Sequence, residues 1–167
     1  MEKNIVEESQ YLTFLSSGEI FGIGILHIKE IKEYASVTTI PMMPEYVKGV
    51  INLRGNVVPI IDLPVRFGRV KSQISKKTCV IIVEVSYDED FIDIGILVDS
   101  VNEVIDIPPD LIEPAPSFGS KIRIEFIEGI GKVDNQFVIL LNVNKTLSVS
   151  ELSSLEDHVG KSEVTTS

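Results

Sequence analysis

The sequence predicts an all-β fold of two small barrels packed together, and three observations support this. The 167 residues include 44 isoleucine or valine residues, against 12 leucines and two alanines. β-Branched side chains pack well on pleated sheets, whereas helical proteins of this size depend on leucine and alanine. Short apolar runs recur roughly every 8–12 residues between glycine and proline turns, which is typical of sandwiches and barrels. The basic stretch 69–77 divides the chain as a predicted linker.

Strands are predicted wherever a short apolar run lies between turn residues. They are 11–15, 19–25, the two arms of 49–63, 79–85, 92–99, 103–107 and the two arms of 124–143. Gly18 supplies the turn of the first hairpin. Residues 26–40 fit either a short helix or a strand, and we favour a helical turn that enters a strand. Pro44 favours a single helical turn that ends at Gly49.

The remaining connections contain turn formers or charged residues. Residues 86–90 are an acidic hairpin loop, and 108–119 form a proline-rich connection with one helical turn. A capping-box pattern favours a C-terminal helix over 144–156. The predicted domain therefore spans 10–150, with its parts at 10–68 (first barrel), 69–77 (linker), 78–143 (second barrel), 144–156 (helix) and 157–167 (a frayed tail).

Bulk composition excludes several classes of protein. The net charge of −10 disfavours nucleic acid and anionic lipid as ligands. Cys79 is the single cysteine and there are two histidines, which rules out an internal disulfide and a Cys/His zinc cluster and favours a reducing, cytoplasmic location. The acidic start is unlike a signal peptide, and no apolar run approaches the roughly 18 residues of a spanning helix.

A search for catalytic motifs finds none. The chain has no nucleophile elbow and no phosphate-binding P-loop. The glycines of 129–133 have the wrong spacing for phosphate and are interpreted as a turn or bulge. The acidic run 88–90 is interpreted as a loop tip and not as a metal site, and Cys79 as an inert thiol without a basic neighbour. We therefore predict a binding module without catalytic residues, metal or cofactor.

Arg54 is the one cation in the mostly apolar segment "GVINLRGNVVPIIDL". A two-residue turn at Gly55-Asn56 pairs Arg54 with Val57 and holds the guanidinium at a rigid hairpin shoulder. Pro59 cannot donate to a strand ladder, which leaves open a register one residue away or an edge position. Such an arginine is either solvated without a role or a protein–protein anchor.

The wider segment "PEYVKGVINLRGNVVPIIDL" resembles the signature segment of the CheW family of bacterial chemotaxis coupling proteins. Four further segments resemble that family in the same order: "FGIGILHIKEI", "IGILVDSVNEVIDI", "IEPAPSF" and "IEGIGKVDNQFVILLNVNKTL". The resemblance is collinear over about residues 10–147, which is nearly the whole chain.

This resemblance implies two five-stranded, SH3-like β-barrels with a groove between them. It implies a non-enzymatic adaptor, without cofactor, that couples methyl-accepting chemoreceptors to the histidine kinase CheA. The partners are the kinase, the cytoplasmic receptor tips and other copies of the chain in the array. The alternatives are a scaffold for a different receptor–kinase system and, from another class, an enzyme of small-molecule metabolism.

The resemblance also assigns roles to individual positions. Kinase binding is expected at Ile28, Gly49 and Arg54; receptor binding at Glu30, Ile31, Lys48, Val98 and Val101; and an array contact at Phe118. Five of these residues have a plain structural alternative: core packing for the two valines, solvated surface for Glu30 and Lys48, and loop anchoring for Phe118.

Overall fold

The structure is a computed structural model that describes residues 9–87, 89–115 and 124–147. Phe118, the greater part of the predicted C-terminal helix and the predicted tail 157–167 lie outside these ranges.

Within the described ranges the elements are almost all strands, which confirms the predicted all-β class. The strands are β1 Gln10–Ser16, β2 Glu19–Gly24, β3 Ile28–Glu33, β4 Val47–Leu53, β5 Asn56–Asp62, β6 Cys79–Tyr87, β7 Asp90–Val98, β8 Ser100–Asp106, β9 Ile112–Glu113, β10 Ile127–Val133 and β11 Gln136–Leu141. Single turns of 3-10 helix cover Ile25–His27, Pro109–Leu111 and Ile124–Phe126, and short α-helices cover Leu63–Arg66 (α1) and Val143–Thr146 (α2).

The strands form two sheets, each belonging to one barrel. The six-stranded barrel has the order β8-β1-β2-β11-β10-β9, and the five-stranded barrel has the order β3-β6-β7-β5-β4. Each barrel therefore takes strands from both halves of the chain, which differs from the predicted assignment of 10–68 to one barrel and 78–143 to the other. β1 and β2 form one hairpin, and β6 and β7 form another. The other neighbour of β1 is β8, from the second half of the chain, and the other neighbour of β6 is β3, from the first half.

The two barrels repeat one topology. Hairpin β4–β5 has a bulge after Val47, which pairs with Ile61, and hairpin β10–β11 has the same bulge after Ile127, which pairs with Leu141. Each hairpin then leads into a four-residue helix. The equivalent parallel contacts are Ile60 with Gly95 in one barrel and Leu140 with Gly22 in the other. The two halves are thus structural equivalents that exchange strands.

The largest core cluster lies between the barrels, because it takes side chains from both sheets. Its buried members are Leu12, Phe14, Phe21, Ile23, Val47, Ile61, Leu63, Phe67, Ile81, Val83, Val85, Ile94, Ile96, Val98, Phe126, Leu141, Val143 and Leu147. Phe14, Phe21, Phe67 and Phe126 form a column of rings with successive centroid separations of 5.7, 5.8 and 6.0 Å. Smaller clusters fill each barrel, so the two barrels form one packed body.

The segment before β4 corrects one prediction. The N–H of Val47 donates to the carbonyl of Pro44 at 3.0 Å, but β4 begins at Val47, so the predicted helical turn ending at Gly49 is wrong. Thr38 bridges to Val50 here, and a Cβ at Gly49 would lie 2.5 Å from the Thr38 carbonyl oxygen. Gly49 is therefore required by the close approach of two backbones, not by a helix end.

The turn of hairpin β4–β5 corrects a second prediction. The turn residues are Arg54 and Gly55, with φ of 52° and 86°, and not Gly55-Asn56. Two left-handed positions match the twist of a hairpin, and glycine adopts the second of them freely. The Asn52 Oδ1 also accepts the Gly55 N–H at 2.9 Å. By contrast, the favoured prediction for residues 26–40 is confirmed, since a 3-10 turn enters β3.

Candidate functional site

Arg54 lies at the open end of the five-stranded barrel, at the tip of hairpin β4–β5. Its side chain is 74% exposed, and its Nη1 lies 2.7 Å from Oε2 of Glu30 on β3. Lys32 Nζ lies 3.9 Å from the same carboxylate. An exposed ion pair contributes little to stability, about 0.2–1 kcal/mol, so its main effect here is to orient the guanidinium. The structure thus brings together two predicted site residues, Arg54 and Glu30, that were assigned to different partners.

Lys48 and Gly49 lie where this barrel closes. The Lys48 ammonium stands 5.9 Å from the centre of the Tyr34 ring, on the segment that follows β3. Thr38 and Val50 exchange both backbone hydrogen bonds, at 2.9 and 2.8 Å. Gly49 is buried, so it shapes the end of the barrel and offers no exposed side chain there.

A second group of predicted residues lies along the junction of the barrels. Ile28 pairs with Val83 on β6, and Val101 pairs with Phe14 on β1. Directly opposed residues point to the same sheet face, so both side chains face the inter-barrel core, and both are partly buried against it. They come from β3 and β8, which are the end strands of their sheets.

Ile31 extends this apolar surface toward solvent. It pairs with Ile81 of the inter-barrel core, yet its own side chain is 46% exposed. Val104 occupies the equivalent position on β8, paired with Leu12, and is 51% exposed. We call Ile28, Ile31, Val101 and Val104 the inter-barrel seam.

Val104 was missed by sequence reasoning. The signal was available, because "HIKEI" before β4 and "SVNEV" before β9 place Ile31 and Val104 at matching positions of the two halves. Two other predicted residues do not join the seam surface. Val98 is fully buried in the inter-barrel core, and Phe118 lies outside the described residues.

The equivalent end of the six-stranded barrel has the opposite charge. Hairpin β10–β11 turns at Asp134 and Asn135, with φ of 47° and 63°. Asp134 therefore stands where the other barrel has Arg54, and Glu103 stands where it has Glu30. Two carboxylates cannot form the ion pair seen at the first barrel, so the two ends present different chemistry on one backbone plan.

Two observations concern groups in the described part of the chain that could bind a metal or act as a nucleophile. No group of three or more His, Cys, Asp or Glu side chains there could hold a metal ion. Burial, with a smaller contribution from the Glu33 carboxylate, raises the pKa of the Cys79 thiol and so disfavours the reactive thiolate. Among the described helices, none has both the length and the apolar character needed to cross a bilayer.

Comparison with known proteins agrees with this architecture. The CheW-like domain model matches residues 10–151. The chemotaxis protein CheW of Klebsiella aerogenes is 37% identical over 153 residues, covering 92% of this chain and 89% of that protein. CheW of Bacillus subtilis is 32% identical over 147 residues, covering 88% and 92%.

A solved structure is similar as well. The scaffolding protein TtCheW from Thermoanaerobacter tengcongensis superposes with a TM-score of 0.73 at 38% identity, covering 81% of this chain and 85% of that one. The fold, the family model and the chemotaxis relatives agree, and the chain belongs to the CheW-like domain family of chemotaxis scaffold proteins.

Proposed function

We propose that this chain is a non-enzymatic adaptor that couples methyl-accepting chemoreceptors to the histidine kinase CheA. It acts in the cytoplasm, beside membrane-bound receptor arrays. Membership of a chemotaxis scaffold family supports this assignment. So does the surface, which offers exposed apolar side chains and an oriented arginine for binding.

The observation that carries the proposal is the inter-barrel seam. Two end strands, one from each barrel, present partly exposed β-branched side chains along the margin of the shared core. Such a surface fits the apolar face of a helix, which docks with anchor residues three or four apart. The receptor's helical tip is the proposed occupant, and Ile31 and Val104 are its proposed anchors.

The end of the five-stranded barrel is the proposed kinase surface. Arg54 projects from a rigid two-residue turn, and Glu30 fixes the direction of its guanidinium. Arginine on rigid geometry is typical of protein–protein anchors, because its planar fork loses little freedom on binding. The sequence assigned Glu30 to receptor binding, and we include it in the proposed kinase surface because its carboxylate contacts Arg54.

Signal transmission follows from differential affinity. A receptor shifts the kinase equilibrium only if its two states bind the seam unequally. Because both barrels share one packed core, the seam and the Arg54 end belong to one packed unit. Modest pairwise affinities then combine through multivalency in an array, including contacts between copies of the chain.

Co-purification tests the proposal. The purified chain is mixed with a receptor signalling tip and with the kinase, separately and together. We expect Arg54→Glu to lose kinase binding while keeping receptor binding and the thermal unfolding midpoint. Asp134→Lys, at the equivalent turn of the other barrel, is the matched control and should leave kinase binding intact.

The same assay separates the alternatives. Retention of kinase binding by Arg54→Glu would reject the kinase surface. Failure to bind either partner, together with capture of a different histidine kinase, would favour a scaffold of another signalling system. Turnover of a metabolite by the purified chain would reject the adaptor altogether.

A further inference from the structure

The hairpins β4–β5 and β10–β11 are each joined to the rest of their barrel by a short parallel ladder. Hairpin β4–β5 meets β7 through Ile60–Asp62, and hairpin β10–β11 meets β2 through Ile139–Leu140. On the other side, β4 has a bridge from Val50 to Thr38, and β10 pairs with the short strand β9. The direction of each hairpin therefore depends also on the contacts at its base.

The bases of the two hairpins are structural equivalents. Tyr46 directly precedes β4, and Phe126 directly precedes β10. The Tyr46 carbonyl accepts the Asp62 N–H at 2.7 Å, and the Phe126 carbonyl accepts the Asn142 N–H at 2.8 Å. The same backbone hydrogen bond therefore places one aromatic ring at the base of each hairpin.

Arg66, the last residue of α1, connects these two bases. Its guanidinium carbon lies above both rings, 4.8 Å from the centre of the Tyr46 ring and 4.6 Å from the centre of the Phe126 ring. Its Nε–H donates to the carbonyl of Thr146, the last residue of α2, at 2.8 Å. We call Arg66, Tyr46, Phe126 and Thr146 the Arg66 clamp.

The Arg66 clamp is asymmetric although the two helices that carry it are equivalent. Thr146 has the same position on α2 that Arg66 has on α1. The Thr146 hydroxyl donates to the Phe126 carbonyl at 3.2 Å, within its own half of the chain. Arg66 instead reaches across to a ring and a carbonyl of the other half. One side chain of the equivalent pair thus joins the two barrels.

The contacts of the Arg66 clamp are directional, whereas the burial of apolar area in the inter-barrel core is not. A guanidinium stacks on a ring with its plane, and its hydrogen bond weakens steeply when misaligned. Thr146 and Phe126 are only 1% and 2% exposed, so the groups that Arg66 contacts are themselves held by packing. The clamp therefore adds orientation to a core that supplies stability.

We propose that Arg66 is the positioning residue that fixes the direction of hairpin β4–β5 relative to hairpin β10–β11. The turns of these hairpins carry Arg54 and Asp134, so the clamp holds the two barrel ends at one separation. A partner that contacts both ends then meets them already arranged, which lowers the ordering cost of binding. The inference concerns the free chain and does not depend on the proposed coupling function.

Distances between spin labels on the two hairpins test the inference in the full chain. Nitroxides are attached at Val57→Cys and Phe137→Cys, which are exposed positions outside the clamp, in a Cys79→Ser background. Double electron–electron resonance then gives the distribution of distances between the hairpins. We expect a single narrow distribution with Arg66 in place. We expect a broader one in Arg66→Met, which keeps an apolar stem and removes the guanidinium.

Three further variants make this test specific. Arg69→Met, which removes an arginine paired with Glu19 on β2, is the matched control and should keep the narrow distribution. Tyr46→Leu removes one ring from the guanidinium and should broaden the distribution, which gives the same test should Arg66→Met fail to fold. Tyr46→Phe keeps that ring and should keep the narrow distribution.

A narrow distribution in either Arg66→Met or Tyr46→Leu would overturn the proposal. Broadening in Arg69→Met or Tyr46→Phe would also contradict it, because those chains keep the guanidinium and both rings. Urea unfolding checks the contact itself. In a double-mutant cycle, Arg66→Met and Tyr46→Leu should be coupled by about fivefold in the unfolding equilibrium constant. Additive losses would show that ring and guanidinium do not stabilise each other, which contradicts the clamp.

Discussion

The ends of the two barrels share a backbone plan and differ in chemistry. At one end Arg54 occupies the turn of β4–β5 and is paired with Glu30. At the other end the equivalent residues are Asp134 and Glu103. Because the strand registers and bulges match, the difference lies in the side chains alone. The repeat therefore supplies two similar frames, and their charges allow them to select different partners.

The largest expected effect compares the glycines at the bulges in the first strands of the two hairpins, Gly49 in β4 and Gly129 in β10. A Cβ at Gly49 would lie 2.5 Å from the Thr38 carbonyl oxygen, whereas at Gly129 it would meet the Ile112 methyl at 2.6 Å. Backbone atoms move aside less easily than a side-chain methyl group. We therefore expect Gly49→Ala to lower the free energy of unfolding by about 3 kcal/mol and Gly129→Ala by about 1–2 kcal/mol, as measured by urea unfolding. Gly24→Ala is the control with little expected cost. Equal losses of stability would show that the positions of Gly49 and Gly129 tolerate a Cβ equally well, which contradicts this expectation.

A smaller difference is expected at the parallel strand contacts. A Cβ at Gly95 would lie 2.5 Å from Ile60 Cδ1, and at Gly22 it would lie 2.9 Å from Leu140 Cδ2. We expect Gly95→Ala to cost about 2 kcal/mol and Gly22→Ala about 1 kcal/mol, because overpacking rises with overlap. Thermal unfolding of both variants measures this, and a reversed order would contradict the packing described here.

The sequence predicted the strands well and their partners poorly. Ile/Val-rich runs and glycine turns mark most of the strands, since both signals are local, but β9 lies within the predicted proline-rich connection. The pairing of β1 with β8 joins residues far apart in sequence, and nothing in Tyr11 or Leu12 specifies it. The turn prediction was wrong by one residue because Gly55-Asn56 has a turn-forming composition, whereas Arg54 has a positive φ that arginine rarely adopts.

The site was predicted in part for a similar reason. Arg54 and Glu30 were selected singly, but their contact depends on how β3 reaches the β4–β5 tip. Val104 was missed because its role follows from equivalence with Ile31, which becomes clear once the registers are aligned. Val98 lies on the apolar face of β7, and burial could not be distinguished from a binding wall by sequence alone.

The turn residues give a prediction in which stability and binding separate. Arg54 has a φ of 52°, which is costly for most L-residues by about 1 kcal/mol and well tolerated by asparagine. We expect Arg54→Asn to raise the unfolding free energy by about 0.5 kcal/mol after loss of the exposed ion pair, while kinase binding falls. Asp134→Asn should change neither the free energy of unfolding nor kinase binding. If Arg54→Asn were less stable than the parent chain, the ion pair would contribute more than the relief of the unfavourable φ angle.

The smallest expected effect is on the reactivity of the Cys79 thiol, at the start of β6 in the five-stranded barrel. Burial and the Glu33 carboxylate raise the pKa of Cys79, so the thiol is mostly protonated at neutral pH. Glu33→Gln removes the carboxylate that helps to raise the pKa of Cys79. Iodoacetamide should therefore label Cys79 faster at neutral pH, and the pH dependence of the labelling rate should move to lower pH. Glu128→Gln, on the other barrel, is the control. No change in the profile would leave burial as the sole cause.

The inter-barrel seam is the central claim, and direct titration with a receptor signalling tip tests it. We expect Ile31→Asp and Val104→Asp each to weaken binding by about tenfold or more, which is roughly 1.4 kcal/mol. Phe137→Asp, which changes an exposed side chain off the seam, should bind like the parent chain. Parent-like affinity in both seam variants would contradict the account.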